Sequence, residues 1–407
     1  MEMESSSTCP FCNLLVRDTE LQWHANSHFE DEDEDEQFAR DRELAHQIAS
    51  SSNSGDGDCP TDDKISCLVA LQTRSSFYCI KDGLMSLLSW CLERDQDSSV
   101  TILSGYIDHF QSTASEDRGW GCGWRNIQMM SSHLLAHRPE AREVLFGGSG
   151  FVPDIPFLQR WLEIAWEKGF DAVGSHHFNN RVYGSTHRIG TTECAALFRS
   201  FGLRARVVDF GPQELRSLYL SVPGSGAGPS VVKGKSIHVS GPMDRYVVHL
   251  PNSNKSRESE NTLGNGSDNL EHNSTKQNQR HQNLIDWVWN YFSDKGLKMS
   301  NSSPVIVSDR TPLYFQHDGH SRTIVGIQVK HQHNRMQPFS LLILDPGHRT
   351  AALERSLKEN FGWKTHLKRG VHTLRKPQYQ LCYIDPGIAG EEEMEQLKTI
   401  DSVFIEL

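Results

Sequence analysis

Residues 116–135, EDRGWGCGWRNIQMMSSHLL, set one cysteine between glycines and tryptophans, where apolar residues (Ile127, Met130, Leu134) begin to recur at helical spacing. Cys122 has two readings in that setting. Gly121 and Gly123 permit a sharp turn and close backbone approach, which suits a small buried residue. The same residue also stands at the start of a predicted helix. There the macrodipole and the free N–H groups favour a thiolate, lowering a thiol pKa from about 8.5, and the Cys122 N–H can help hold an oxyanion. Cys91, Cys194 and Cys382 lie inside apolar periodic runs and read as core.

A thiolate nucleophile needs a group that takes its proton and later protonates the leaving amine. The chain offers 20 histidines. The segment QHDGHSRTIVGIQV puts His317 and His320 just before a predicted strand, and FSLLILDPGH puts Asp345 just after the next one. If these strands pair as a hairpin through KHQHNRMQP, the start of the first lies beside the end of the second, and His320 faces Asp345. A carboxylate so placed holds the tautomer and orientation of an imidazole.

A second constellation lies near the N-terminus. Cys9, Cys12, His24 and His28 have the spacing Cys-x2-Cys-x11-His-x3-His, which lets two thiolates and two imidazoles close a tetrahedron around a structural zinc ion. A unit this small depends on its metal for folding. The helix of such a finger carries no basic cluster, and residues 30–36 (EDEDEDE) would repel phosphates, so protein recognition is expected rather than nucleic-acid binding. CPFC and LQWHANSH resemble the ends of ubiquitin-binding zinc fingers. In DRELAHQIASS, Asp41, Leu44, Ala45 and Ile48 resemble an inverted ubiquitin-interacting helix, whose small Ala allows close approach to an apolar patch.

The elements that must position Cys122 and its partners are legible by period. LMSLLSWCLER, WRNIQMMSSHLLAHR, FLQRWLEIAWEKGF and TTECAALFRSFG are helical; RARVVDF, SPVIVS, TIVGIQV, FSLLILD and QYQLCYID are short strand-like runs. Trp161, Trp166, Trp287 and Trp289 fall in helical patterns and read as core. Helices first and strands later predict an α+β domain with helices on one side of a largely antiparallel sheet. The expected organisation is a finger at 1–29, the acidic run and ubiquitin-binding helix at 30–52, a flexible linker at 53–63 and a large domain at 64–407. A polar stretch at 251–282 interrupts that domain as a disordered insertion.

The net charge of −11 argues against broad binding to nucleic acid or anionic membrane. No apolar run approaches the roughly 18 residues of a membrane helix, the opening residues lack a signal pattern, and nine irregularly spaced cysteines suit a reducing compartment. A soluble intracellular protein is expected.

DRGWGCGWRNIQMM, IGTTECAALFRSFGLRARVVDF, PLYFQHDGHSRTIVGI and LLILDPG resemble the Ufm-specific protease family of papain-like cysteine peptidases, over nearly all of residues 70–407. The resemblance is strongest to its zinc-finger branch. It implies a papain-like α+β domain and a thiol deubiquitinase preferring long lysine-63-linked chains, with no cofactor for catalysis beyond the structural zinc. It also implies ubiquitin, polyubiquitin and genome-maintenance proteins as partners, and residence in nucleus and cytoplasm. Carried onto this chain, Cys122 is the nucleophile, His320 the general base and acid, and Asp345 the orienting carboxylate.

Two departures bear on the substrate. The Ufm-cleaving members have Asp-Pro-His, whereas Asp345-Pro346 is followed here by Gly347, with His348 one place displaced as the alternative base. Their oxyanion-hole Tyr, twelve residues before the Cys, is Phe110, which leaves Gln111 as a candidate amide donor. The rival expectations are a Ufm-specific protease, a non-catalytic ubiquitin-chain adaptor and a zinc-finger nucleic-acid binder.

Overall fold

The structure, a computed structural model, describes residues 63–95, 99–213, 281–293, 304–330 and 339–407, and the backbone alone at 6–8, 15–17 and 61–62. The chain divides into two units, Met1–Lys64 and Ile65–Leu407. In the first, strands β1 (Ser6–Thr8) and β2 (Leu15–Arg17) pair antiparallel, with Thr8 opposite Leu15. Cys9, Cys12, His24, His28, the helix residues Asp41, Leu44, Ala45 and Ile48, the linker up to residue 60 and nearly all of 251–282 lie outside the described residues; the last linker residues, 61–63, instead begin a helix, where Asp63 suits the helix dipole.

Helix α1 (Thr61–Leu71) runs across the boundary, and the second unit continues with α2 (Leu84–Glu93) and β3 (Ser99–Ser104), followed by α3 (Cys122–His137) and α4 (Pro139–Val144). Then come α5 (Ile155–Glu167), α6 (Ala172–His177), α7 (Thr191–Arg199) and β4 (Leu203–Gly211). After α8 (Gln282–Phe292) the chain is mostly strand: β5 (Val305–Ser308), β6 (Leu313–His317), β7 (His320–Lys330) and β8 (Phe339–Leu344). It ends with α9 (Thr350–Lys358), α10 (Trp363–Leu367), β9 (Lys368–Gly370), β10 (Tyr379–Ile388), α11 (Glu391–Leu397) and β11 (Ser402–Glu406). Among the described residues no helix is long and apolar enough to cross a membrane.

Among the described residues nine strands form one sheet in the order β11-β4-β10-β6-β7-β3-β5, with β8 on the other edge of β7 and β9 beyond β8. The pairings are antiparallel except β11 with β4 and β3 with β5. The fold is α+β with a largely antiparallel sheet, as the periods predict.

Helices cover both faces of that sheet, however, not one. Val325, Leu342 and Leu344 pack with α2, α9 and α10, while Leu203, Ala205, Val207, Cys382 and Ile384 pack with α3, α5 and α7. On the opposite face Ile324, Ile327, Leu341 and Ile343 meet Leu284, Ile285, Val288 and Phe292 of α8. The physical reason is in the strands: an unbroken apolar run such as Leu341–Leu344 has side chains on both faces and needs cover on both. Each such side chain taken fully from water is worth roughly 1.5–3 kcal/mol. Trp161 and Trp166 are buried as expected, and Trp287 and Trp289 pack half-buried against the α8 side.

Candidate active site

Cys122 is the first residue of α3, on a turn held from below by a buried charge. The Asp117 carboxylate, fully buried, accepts from the Thr113 N–H (2.8 Å) and from Arg125 Nε and Nη2 (3.1 and 3.0 Å). Its carbonyl takes the Gly121 N–H at 2.8 Å, so loop and first helical turn are locked together. Burying an ion pair this deeply costs more than it returns unless every donor and acceptor is matched, as here. Both glycines beside the cysteine answer to space. A Cβ on Gly121 would run into the Asp117 carboxylate, and one on Gly123 would stand 2.8 Å from the Ile189 carbonyl and from the Tyr314 hydroxyl.

The start of α3 lies against β7. Asn126 Nδ2 donates to the Cys122 carbonyl at 2.7 Å, and Thr323 Oγ1 donates to Asn126 Oδ1 at 2.7 Å. Three residues back from Thr323, at the first position of β7, stands His320. The two-residue turn Asp318–Gly319 (φ 48° and 73°) joins β6 to β7 and pairs His317 with His320. An Asp-Gly pair is favoured there because both positions need positive φ.

Strands β7 and β8 form the expected hairpin, with Thr323 opposite Leu344. The next pair out brings Asp345 to Arg322 and His320. His320 Nε2 is 3.3 Å from Asp345 Oδ2, which leaves Nδ1 as the ring nitrogen available to the thiol. Asp345 Oδ2 also accepts from Arg322 Nε at 2.6 Å, and Oδ1 accepts from the Gly347 N–H at 2.9 Å.

The electrostatics follow from these contacts. Burial pushes the Cys122 thiol up, but hydrogen bonds from His320 and from the N–H and hydroxyl of Ser321 outweigh it and hold the thiol below its ordinary value. Bonding to Asp345 and to Cys122 overcomes burial at His320 and lifts its pKa to about 9. Burial works against the Asp345 carboxylate too, yet His320, Arg322 and the Gly347 N–H keep it well below the usual carboxylate range. Both hydrogen-bonded partners are thus shifted toward thiolate and imidazolium.

His348 is turned elsewhere. Its N–H closes a turn on the Asp345 carbonyl (3.0 Å), and its ring packs 5.0 Å from His366. Burial lowers its pKa, and among the described residues no hydrogen bond joins its ring to Cys122. Gln111 lies beside the Asp345 loop: the Ser112 N–H donates to the Pro346 carbonyl (2.7 Å), and Gln111 Oε1 accepts from the Thr350 N–H (2.7 Å). That leaves its amide N–H groups as the free end. Phe110 is buried, its ring centroid 4.8 Å from that of Phe77. Among the described residues no cluster of His, Cys, Asp and Glu could hold a metal ion.

The model of Peptidase family C78 matches residues 96–221 and 262–382, more than half of the chain and every residue of this constellation. The chain belongs to peptidase family C78. Among curated relatives, zinc finger-containing ubiquitin peptidase 1 of Homo sapiens is 29% identical over 294 residues, covering 72% of this chain and 38% of that protein. A ubiquitin carboxyl-terminal hydrolase of Schizosaccharomyces pombe is 38% identical over 110 residues, 27% of this chain and 43% of that one. The chain therefore spans about two fifths of the length of these relatives. Of solved structures, UfSP of C. elegans aligns over 72% of this chain and 35% of its own at 12% identity, with a TM-score of 0.36.

Several residues of the site escape a reading by motif. Arg322 follows His320 at the two-residue period of a strand, so both side chains lie on one face. The Asp-Gly turn before them was the available signal. Asn126 follows Cys122 by one helical turn, a position that returns to the helix start. Tyr314 carries no local signal: its hydroxyl lies 3.2 Å from the Ile189 carbonyl and 2.9 Å from Ser321 Oγ only because β6, β7 and the loop before α7 meet there.

Proposed function

We propose that this chain is a cysteine-type deubiquitinase, with Cys122 as nucleophile, His320 as general acid and base, and Asp345 as the carboxylate that orients it. The observation that carries the reading is the single line of contacts from a helix-start thiol through His320 to the buried Asp345 carboxylate.

The Cys122 thiolate attacks the carbonyl carbon of the C-terminal glycine of ubiquitin. The negative charge that develops on the carbonyl oxygen is met by the Cys122 N–H and the Gln111 amide. The C–N bond then breaks as the His320 imidazolium gives its proton to the departing lysine amine, leaving a thioester on Cys122. Neutral His320 next takes a proton from water, whose oxygen attacks the thioester; the C–S bond breaks and the ubiquitin carboxylate and the thiolate are restored.

The choice of ubiquitin over Ufm is supported by Gly347 where the Ufm-cleaving pattern has histidine, and by the names of the relatives above. Cleavage of lysine-63-linked chains, with residues 9–28 as a zinc-held module and residues 41–48 as a second ubiquitin contact, completes the proposal. Tethering one ubiquitin raises the effective concentration of the next bond at Cys122. The test is to treat the protein and Cys122→Ala with ubiquitin and with Ufm carrying C-terminal electrophiles. A Cys122-dependent adduct with ubiquitin alone is expected. Labelling by Ufm alone overturns the substrate assignment, and no labelling by either leaves an adaptor. Zinc is tested separately by metal analysis of the chain before and after Cys9→Ser.

A further inference from the structure

Asp345 Oδ2 has two donors of unequal reach. Arg322 Nε lies 2.6 Å away and His320 Nε2 3.3 Å away, while Oδ1 is held by the Gly347 N–H at 2.9 Å. A charge-assisted bond at the shorter distance is the stronger one, so the guanidinium determines where the carboxylate sits. The other arm of Arg322 is also fixed: Nη1 lies 2.6 Å from His317 Nε2. A guanidinium only donates, so His317 Nε2 accepts and its proton is on Nδ1. Burial and the neighbouring Arg322 charge push the His317 pKa down to about 4, consistent with that neutral form.

We propose that Arg322 is a positioning residue of the catalytic centre: it clamps the Asp345 carboxylate and leaves His320 only a share of Oδ2, which sets how readily His320 gives and takes its proton. The proposal rests on the reading of Cys122, His320 and Asp345 as a triad.

Two opposing effects act on His320. Asp345 and Cys122 stabilise the imidazolium, while burial and, to a smaller extent, the Arg322 charge oppose it. A triad with an unshared aspartate would hold the proton on His320 too firmly, leaving little neutral imidazole to activate water for thioester hydrolysis. Arg322 offsets this without protonating Asp345. The remaining charged neighbours are accounted for: Arg369 of β9 and His348 approach from the Asp345 side. The Lys376–Asp318 pair (2.5 Å) faces His317, and the Cys122 thiol approaches from α3. None of these touches Asp345 Oδ2.

The experiment uses the full chain and two readouts: the pH dependence of kcat/KM on a ubiquitin C-terminal fluorogenic amide, with kcat and KM themselves, and the reactivity of Cys122 with iodoacetamide at low pH. Removing the opposing charge in Arg322→Gln is expected to move the alkaline limb of the kcat/KM profile, where the His320 proton is lost, up by about one pH unit, the size expected for one nearby charge. Where thioester hydrolysis limits turnover it should also lower kcat about tenfold, the fraction of neutral His320 lost for one unit, and KM with it, because that step does not enter kcat/KM. Arg322→Lys restores part of both, because it returns the charge but not the two-armed geometry. His317→Asn gives a smaller shift in the same direction, and serves as the test if Arg322→Gln does not fold. An alkaline limb that stays at the wild-type position while kcat falls overturns the proposal and makes Arg322 structural only. If wild-type Cys122 is alkylated like an ordinary thiol, with no reactive plateau at low pH, the triad reading itself fails, which is a distinct outcome.

Discussion

Cys122 begins α3 and Cys194 is the fourth residue of α7, two helices that meet where Gly123 lies against Ile189, yet the surroundings shift the two thiols in opposite directions. Both are penalised by desolvation. Cys194 is fully buried with Cys382 as its neighbour, and burial drives its pKa well above the ordinary value. Cys122 is half-buried, and its partners are His320 and the Ser321 N–H and hydroxyl, which lower it. A place in the first turns of a helix is therefore insufficient to lower a thiol's pKa. What decides is whether the fold brings a proton-accepting partner and hydrogen-bond donors to the sulfur.

The largest expected effect breaks the comparison at its reactive side. Cys122→Ala should abolish hydrolysis of a ubiquitin C-terminal amide, by about four orders of magnitude or more as for loss of other covalent nucleophiles, in a steady-state assay. Next, His320→Ala should cost about 10²–10⁴-fold in kcat/KM, the range for a lost general acid and base, whereas His348→Ala should stay within a few-fold. The reverse result would move the base to His348.

A smaller effect appears in pH. The reactive thiolate-imidazolium pair forms as pH rises through the lowered pKa of Cys122 and is lost as His320 gives up its proton near about 9. Amide hydrolysis should therefore fall about tenfold for each further unit above that value, because acylation needs the His320 proton. Cys194 should resist iodoacetamide across the whole range. The smallest effect belongs to Cys194→Ala, expected to leave kcat unchanged and to cost about 1 kcal/mol in a denaturant titration. A large kcat loss there would show that the two helices are coupled.

Much of the scaffold was legible by period. The patterns starting near residues 84, 124, 157 and 191 correspond to α2, α3, α5 and α7. Strands β3, β6, β9 and β11 of the sheet lie outside the strand-like runs, although the Asp318–Gly319 turn marks the end of β6. The helices were expected on one side because a strand's period tells which residues share a face and not what covers it. Arg322 escaped notice for a related reason: a lone arginine in a strand acquires meaning only from the carboxylate opposite.

By itself the sequence determined the local parts: a cysteine at a helix start with flanking residues small enough for close approach, and a histidine and an aspartate at the ends of adjacent strands. These depend on neighbours within a turn or a hairpin. Only the tertiary structure decided that His320 rather than His348 meets Cys122, through the bridge from Asn126 to Thr323, and that Asp345 is shared between His320 and Arg322. The first outcome hangs on packing between segments about 200 residues apart, which local spacing does not encode, and the second on side-chain directions across the β7–β8 hairpin, which the alternation of a strand leaves open.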